Sequence, residues 1–533
     1  MGVQNRRLAS AARSAGAEAL GALFKPLPFL LNDGGDPRLA LDPVSRANIY
    51  GCRPHPTPET LAFSSSTATT ISERAYRRAE QARDALLEDS IELGVFDAFD
   101  RRIELLRQSL RDCLELCDAE IVFSPSGTDT QLQALFFARR LLGGPMTSIV
   151  VASDQTGSGT AYTSRGQNFS VRTSRGKAVG KGSPIEGLAE RLDSIGISMF
   201  APDGAIRSPD EIDAAVIALV EGQIRLGRKV LLQAMDSSKL GWRAPSDGCL
   251  RYIGARWPDA VQILVDACQM RIGRARLRAY LARGYIVLVT GSKFFTGPPF
   301  CGASLFPAVL ADRIAGWSGL SGGIADYAAR YDVPLRWSSV REALPSIPNF
   351  GQWLRWEAAL EEMRAYYALP VAFRRTALAR LADAVQGIIA SSRYLELMDA
   401  REVPEDDLDD EEMSCRTIFP FFVKSGGRAL DLEEMTKIYH ALNSDLSAAL
   451  PETERALASI RCLIGQPVKL PIGAILRIGV GARLLSQAWS ADPRRTEENI
   501  GAIVDRVATV VRKIEWIVRT EIHEPVEPLA RAV

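Results

Sequence analysis

Residues 261–293 contain two short apolar runs, Val261-Gln-Ile-Leu-Val265 and Tyr285-Ile-Val-Leu-Val289. Asp266 follows the first run, and Lys293 follows the second after Thr-Gly-Ser. Both runs are rich in β-branched residues, which is typical of buried strands in a parallel sheet. The segment from Arg271 to Gly284 has apolar residues at helical spacing and predicts the crossover helix. Because ligands of an open α/β sheet bind beyond the carboxyl ends of its strands, Asp266 and Lys293 are expected to meet at one site.

A third segment lies upstream and reads Glu120-Ile-Val-Phe-Ser-Pro-Ser-Gly127-Thr128-Asp129. It predicts a strand, a turn and the start of a helix. A helix N-terminus offers unpaired N–H groups and the positive end of the helix dipole, so this turn suits a phosphate dianion. Gly127 allows the backbone to approach closely, and the Thr128 hydroxyl can donate a hydrogen bond. Taken alone, the pattern is equally typical of a capped helix with nothing bound.

A lysine and an aspartate at one site have a specific chemical meaning. A deprotonated lysine amine condenses with an aldehyde to form a Schiff base. Pyridoxal phosphate is such an aldehyde, and it acts as an electron sink only while a carboxylate keeps its ring nitrogen protonated. The sequence therefore indicates pyridoxal 5'-phosphate as the cofactor, with Lys293 and Asp266 as the catalytic residues.

At these residues the chain resembles the fold-type I pyridoxal-phosphate enzymes, and within them the branch of cysteine desulfurases and class V aminotransferases. Asp266-Ala-Cys-Gln269 resembles the Asp-x-x-Gln of that branch, in which Asp meets the ring nitrogen and Gln the ring hydroxyl. The stretch from Gly291 through Lys293 to Gly297-Pro resembles its Gly-His-Lys-x-x-Gly-Pro signature. Here Ser292 stands in the His position, and the Gly-Pro lies one residue further on.

The resemblance implies a fold and a domain organisation. We expect an α/β fold whose large domain has a mainly parallel seven-stranded sheet sandwiched by helices, with a smaller α+β C-terminal domain. The expected parts are an N-terminal helix and arm (1–60), the large cofactor-binding domain (61–330), connecting helices (331–400) and the small domain (401–533). The resemblance also implies a homodimer with a shared active site and a small-molecule amino acid as the substrate.

Three weaker matches add candidate site residues. Ser238 occupies the position of a desulfurase Asn that contacts the ring hydroxyl, and Ser346 lies in a segment resembling the loop that reaches the phosphate of the neighbouring subunit. Arg477 corresponds to the arginine that binds the substrate α-carboxylate, for which a fork of N–H donors is suited. The resemblance implies a cofactor site made of Gly127, Thr128, Gln155, Ser238, Asp266, Gln269, Thr290, Ser292, Lys293 and Ser346.

The chain departs from the family in its histidines. The family stacks a His over the cofactor ring, but no His occurs here between His55 and residue 440. Gln155 and Thr156 are the positional matches for that His. Lys293 is therefore expected to be the general base at the substrate Cα. His55 lies in a Pro-rich arm and is a second candidate for substrate binding, although such a stretch is as typical of a surface linker.

Composition excludes several classes of function. The chain has 533 residues and 47% hydrophobic content, which is enough for a large core and two globular domains. Its net charge is zero and its charges are interspersed, so no nucleic-acid interface is expected. No apolar run approaches the roughly 20 residues of a membrane helix. The eight scattered cysteines are typical of reduced thiols in a cytoplasmic protein, and no spacing predicts a metal site.

The reaction type stays open at the level of sequence. Pyridoxal phosphate supports several reactions, and substrate contacts select among them. Cys415 and Cys462 lie outside the small-residue loop that a desulfurase uses, and the segment around Cys462 resembles a strand and turn of amino acid decarboxylases. We expect lyase-type chemistry (decarboxylation, elimination or C–C bond chemistry) first, a class V-type aminotransferase second and a cysteine desulfurase-like activity third. A non-catalytic cofactor-binding protein is the alternative from another class, and the retained Lys293 and Asp266 count against it.

Overall fold

The computed structural model describes residues 15–320, 322–399, 401, 410–448 and 450–520. Residues 1–14 of the expected N-terminal helix, and residues 402–409 and 521–533 of the expected small domain, lie outside this part. Its strands are β1 (Leu61–Phe63), β2 (Glu120–Ser124), β3 (Met146–Val151), β4 (Leu192–Ile197), β5 (Lys229–Met235), β6 (Val261–Asp266), β7 (Ile286–Thr290), β8 (Gly302–Phe306), β9 (Leu395–Leu397), β10 (Ile418–Ser425), β11 (Arg428–Ala429), β12 (Cys462–Leu470) and β13 (Gly473–Gly479).

The helices of the same part are α1 (residues 15–23), α2 (Leu27–Asn32), α3 (Glu73–Leu93), α4 (Val95–Leu114), α5 (Gly127–Leu142), α6 (Thr160–Thr163), α7 (Pro209–Arg225), α8 (Asp247–Arg256), α9 (Arg274–Ala282), α10 (Ala308–Ala315), α11 (Ser338–Glu342), α12 (Phe350–Tyr367), α13 (Val371–Ala390), α14 (Leu432–Leu442), α15 (Glu452–Ala458), α16 (Ala482–Ala488) and α17 (Pro493–Thr520). Short 3-10 turns lie at Pro37–Leu39, Gly322–Asp326, Arg330–Asp332 and Glu411–Met413. None of these described helices is long and apolar enough to cross a membrane.

The large sheet has the strand order β2-β8-β7-β6-β5-β3-β4. β8 is antiparallel to both of its neighbours, and every other pair in the sheet is parallel. Consequently the carboxyl ends of the remaining strands share one edge of the sheet. The prediction of a mainly parallel seven-stranded sheet is confirmed.

Helices cover both faces of this sheet, and β6 shows why its sequence is apolar at consecutive positions. Val261, Ile263 and Val265 belong to the core that also contains residues of α7, α8 and α9. Leu264 belongs to a second core, together with residues of α5 and α10. A strand whose two faces are both buried cannot alternate apolar and polar residues, so it reads as a continuous apolar run.

The second sheet has the order β1-β12-β13-β10-β11, and β9 also pairs with β10. β1 runs parallel to β12, with Leu61 opposite Cys462, whereas the other pairs are antiparallel. The expected large domain began at residue 61, yet the structure places its first strand in the C-terminal sheet. β9, from the expected connecting segment, joins the same sheet. A strand of three residues is stabilised by its partners, so its own sequence does not reveal which sheet it joins.

α12 packs against the loop that carries Lys293 and fixes it. Its Trp356 Nε1 donates to the carbonyl oxygen of Gly302 at 3.0 Å. A Cβ atom added at Gly291 or Gly297 would lie 2.4 or 2.6 Å from the Cβ of Ala359, so the loop packs directly on the helix. Both glycines are required by this close approach.

Candidate active site

A cavity of about 320 Å³ lies at the carboxyl edge of the large sheet. Its walls come from the loops after β2, β3, β5, β6 and β7, from the N-terminal arm and from β12 and β13. The charged residues that line it are the cations Arg38, Lys239, Lys293 and Arg477 and the acid Asp266. Among the described residues, no group of three or more His, Cys, Asp or Glu side chains is placed to hold a metal ion.

Asp266 and Lys293 enter the cavity from neighbouring strands. Asp266 is the last residue of β6, and its Oδ1 accepts a hydrogen bond from the N–H of Cys268 at 3.0 Å, which orients the carboxylate. Thr290 ends β7, and its hydroxyl donates to the carbonyl oxygen of Cys268 at 2.7 Å. The second bond ties the loop after β6 to the end of β7. The lysine that follows β7 and the aspartate line the same cavity.

The amine of Lys293 is shifted toward its neutral form. Burial lowers its pKa, and the guanidinium groups of Arg477 and Arg271 lower it further, while Cys268 and Asp266 oppose the shift. A lowered pKa favours the neutral amine, which is the form of lysine that acts as a nucleophile and base.

The turn after β2 forms the helix N-terminus predicted for a phosphate. α5 begins at Gly127, and the hydroxyl of Ser126 accepts from the N–H of Asp129 at 3.2 Å as its N-cap. A Cβ atom at Gly127 would lie 3.2 Å from the Sγ of Cys268 and 3.4 Å from the methyl of Thr290. The absence of a side chain therefore lets this turn lie directly against the loops after β6 and β7.

Arg38 of the N-terminal arm lies over the same turn. Its Nη2 is 3.2 Å from the Oγ of Ser126 and 3.4 Å from the Oγ1 of Thr128. Asp36 holds the guanidinium through two hydrogen bonds of 2.8 and 2.6 Å, and the ring of Phe300 lies 4.6 Å below it. A fixed guanidinium beside a helix N-terminus makes this end of the cavity a strong anion site.

Ser238, from the loop after β5, and Gln155, from the loop after β3, form one hydrogen-bonded unit of the cavity wall. The Ser238 hydroxyl donates to Oε1 of Gln155 and accepts from the N–H groups of Leu240 and Trp242, both at 3.1 Å. Its hydrogen is therefore committed to Gln155. Among the described side chains, Nε2 of Gln155 and Oγ of Ser66 are buried without a hydrogen-bond partner, and both residues line the cavity. Two orphaned polar atoms at one cavity are typical of a site built for a polar ligand.

Arg477 comes from β13 and is 2% exposed. Its guanidinium donates to the carbonyl oxygens of Gln466 at 2.9 Å and Lys239 at 3.3 Å, and to Oγ1 of Thr67 at 3.1 Å. Burial lowers the pKa of Arg477 to about 10. All of these partners are neutral, so the arginine stays available to an anion in the cavity.

Gln269 is held in the wall on both sides of its amide. Its Nε2 donates to the carbonyl oxygen of Ser66 at 3.1 Å, and its Oε1 accepts from Nη1 of Arg271 at 2.7 Å. Arg271 in turn donates to Oγ1 of Thr417 at 2.8 Å and to Oγ of Ser65 at 2.9 Å. Gln269 therefore joins the large sheet to the second sheet at the cavity.

No protein-family model matches the chain, and no curated protein matches it in sequence. Among solved structures, a NifS-like protein is similar over 85% of this chain and 99% of its own, with a TM-score of 0.50 and 11% sequence identity. The chain has the fold of the fold-type I pyridoxal-phosphate enzymes. The resemblance stated from the sequence is thus confirmed at the level of the fold.

Two further structures are similar over most of the chain. One is Oryza sativa TDC with PLP, with a TM-score of 0.47 and 14% identity, covering 88% of this chain and 85% of that one. The other is the cysteine desulfurase CsdA from Escherichia coli, with a TM-score of 0.47 and 13% identity, covering 85% and 95%.

The structure brings most of the predicted site residues to this one cavity. They are Gly127, Thr128, Gln155, Ser238, Asp266, Gln269, Thr290, Ser292, Lys293 and Arg477. Ser346 lies elsewhere on the same chain, exposed, with its Oγ 2.9 Å from the hydroxyl of Tyr331. His55 is also exposed and outside the cavity, and its Nδ1 lies 3.2 Å from the carbonyl oxygen of Pro56. The structure does not bring His55 to the site within one chain.

Sequence reasoning missed two cations of the cavity. Arg38 stands in a segment without periodicity or motif, and only the fold brings it to residues 126–128. Lys239 had a visible signal, because it directly follows Ser238 in a turn that was already assigned to the site.

Proposed function

We propose that the protein is a pyridoxal-phosphate-dependent enzyme that acts on an amino acid and holds its cofactor covalently at Lys293. One observation carries this proposal. Lys293, Asp266 and the turn at residues 126–128 line a single cavity at the carboxyl edge of the sheet. The fold shared with a NifS-like protein supports it.

The residues present fit the cofactor at its phosphate, at its ring nitrogen and on the face of its ring. The α5 N-terminus, the Thr128 hydroxyl and Arg38 would hold the phosphate. Asp266 would keep the ring nitrogen protonated, because a carboxylate favours the charged form of a nitrogen beside it. Gln155, with its unpaired Nε2, would cover the ring. When bound, pyridoxal phosphate supplies an electron sink for negative charge developing at the substrate Cα.

Lys293 has two tasks in this proposal. Its lowered pKa favours the neutral amine, the form that would hold the cofactor. With substrate bound, the same amine would take a proton from the substrate Cα or return one. Arg477 would bind the substrate α-carboxylate and so set which bond to Cα stands perpendicular to the ring.

Among the reactions open to such a site, we propose lyase-type chemistry. Desulfuration requires a thiolate that can reach the substrate, and all eight cysteines are free thiols. Cys268 lines the cavity, but burial, with Asp266 beside it, raises its pKa well above the usual range. Burial also raises the pKa of Cys462 to about 11, and neither Cys462 nor Cys415 lines the cavity. The cysteines therefore do not support a desulfurase.

We further propose a cytoplasmic homodimer in which Ser346 reaches the partner's cofactor phosphate. The segment around Ser346 is exposed on a single chain, as a donated loop must be. Sedimentation of the active enzyme tests this: a fully active monomer would contradict it.

The covalent site is tested by its spectrum. We expect the protein loaded with pyridoxal phosphate to be yellow, borohydride to remove the visible band, and mass spectrometry to find the reduced adduct on Lys293. No adduct at Lys293 would overturn the proposal.

The reaction class is tested with a panel of amino acids. Carbon dioxide, or another product released without an added keto acid, is expected for a lyase. Stoichiometric conversion of the cofactor to its amine form would favour an aminotransferase instead. A loaded protein that releases no product from any amino acid would favour a binding role.

A further inference from the structure

The cavity holds more positive charge than a simple amino acid would use. Among the described residues, four cations and one acid line it. In the proposed function Lys293 is consumed by the cofactor, Arg38 serves the phosphate, and Asp266 is paired with the ring nitrogen. Arg477 would take the α-carboxylate. Lys239 is then left as a cation with no assigned anion.

The backbone holds Lys239 at the substrate end of the cavity, where Arg477 would bind the α-carboxylate. It follows β5 in the turn that Ser238 closes through its bonds to the N–H groups of Leu240 and Trp242. Its carbonyl oxygen accepts from Nη1 of Arg477 at 3.3 Å. The guanidinium of Arg477 is therefore bound to the backbone of Lys239.

The charged groups that act on Lys239 differ from those that act on Arg38 at the phosphate end. They are Arg477 and Lys293, both cations, and the carboxylate of Asp154. Asp154 is already engaged, since it accepts from the N–H of Met199 and the hydroxyl of Ser198, both at 3.1 Å. The charged groups that act on Arg38 include Asp36 and Asp129 instead. Among the described residues, the ammonium of Lys239 has neither an ion-pair nor a hydrogen-bond partner.

We propose that Lys239 binds a second acidic group on the substrate, so that the enzyme selects amino acids with an acidic side chain. This inference rests on the proposed function, because it needs Arg477 at the α-carboxylate and the cofactor at Lys293. An ammonium next to two other cations is unfavourable, and a carboxylate that joins it stabilises its charged form.

The selectivity should depend on pH. Burial, followed by Arg477 and Lys293, lowers the pKa of Lys239 to about 8. The ammonium is therefore charged at neutral pH and is lost as the pH rises through about 8, whereas Arg477, whose pKa is about 10, stays charged. A bound carboxylate raises the pKa of Lys239, because it favours the charged amine. The charge is then lost at a higher pH.

Calorimetric titration of the cofactor-loaded protein tests the inference with unreactive probes. Succinate and glutarate carry two carboxylates, and butyrate carries one. At pH 7 we expect at least one dicarboxylate to bind at least tenfold more tightly than butyrate, and the difference to shrink above pH 8. Equal binding of all three would overturn the inference.

Variants identify the residue. Lys239→Gln should remove the preference for dicarboxylates while changing butyrate binding less than threefold, and Lys239→Arg should retain it. Lys469→Gln is the matched control, because Lys469 is exposed on β12, outside the cavity, and should behave as wild type. A preference that survives Lys239→Gln would contradict the assignment. Failure of the borohydride adduct at Lys293 would instead defeat the proposed function, so the two failures are distinguishable.

Discussion

Two walls of the cavity are built in different ways. The sheet wall consists of Asp266, Thr290 and Lys293, which follow adjacent strands and lie within 28 residues of one another. The outer wall consists of Arg38, Thr67, Gln466 and Arg477, which come from the arm, the segment after β1 and the second sheet. The groups proposed to carry the chemistry are thus local in sequence, whereas the groups proposed to hold phosphate and substrate are brought together only by the complete fold.

If this comparison is right, the largest loss of activity is expected from a substitution in the sheet wall. We expect Lys293→Ala to lower kcat by about 10³-fold or more, since it removes both the covalent attachment and the proposed base. The measurement is turnover together with borohydride labelling. Lys239→Ala, which removes another lysine of the same cavity, should leave labelling intact. Unchanged turnover in Lys293→Ala would break the comparison.

The second-largest loss of activity is expected at Asp266, which also belongs to the sheet wall. Asp266→Asn keeps the shape but removes the charge that keeps the ring nitrogen protonated, so kcat should fall roughly 10²–10³-fold. Labelling of Lys293 should persist, because attachment does not require that charge. A variant with full activity would show that Asp266 only caps the loop after β6.

Substitutions in the outer wall are expected to change binding affinity. Arg38→Gln should weaken cofactor binding roughly ten- to hundredfold, the usual worth of a hydrogen bond to a charged group. The measurement is the dissociation constant from absorbance titration, and Arg46→Gln, on an exposed residue of the same arm, is the control. Asp36 is 3% exposed, so Arg38→Gln alone would leave its buried carboxylate without its ion-pair partner and destabilise the fold. The Asp36→Asn/Arg38→Gln double variant removes that charge as well, so that any remaining loss reports on cofactor affinity. Cofactor affinity equal to wild type in both variants would contradict a phosphate role.

The smallest effect is expected at Thr67, a positioning residue for Arg477. Thr67→Val removes the Oγ1 that accepts from the guanidinium at 3.1 Å and costs about 1 kcal/mol. KM for the amino acid should therefore rise several-fold with kcat little changed. The Thr67→Ser variant restores the acceptor and should restore KM. A fall in kcat alone would place Thr67 in the chemistry rather than in binding.

The parts of the molecule that the sequence predicted well are those whose signal is local. The strands β6 and β7 lie within one residue of the predicted runs, because both faces of each are buried and the runs are apolar at every position except Gln262. The helix predicted over 271–284 is observed as Arg274–Ala282. The turn before α5 was recognisable because Ser, Gly and Thr occur where an N-cap and a close approach need them.

The parts that it missed depend on contacts between distant residues. Arg38 gains its place from Ser126 and Thr128, about 90 positions away, and nothing in its own segment announces that contact. Ser238 was predicted at the cofactor, but its hydroxyl hydrogen goes to Gln155, a partner that only the folded turn supplies. Ser346 and the dimer stay predictions, since a single chain does not test them.

The pairing of β1 with β12 has a consequence for biosynthesis. Leu61 waits for Cys462, which is made some 400 residues later, so at roughly 5–20 residues per second the strand stays unpaired for about 20–80 seconds. During that time the large sheet can form on the ribosome, whereas the edge of β1 is open to wrong partners. Nascent chains truncated before residue 462 should therefore engage chaperones at β1, even though their large sheet is complete.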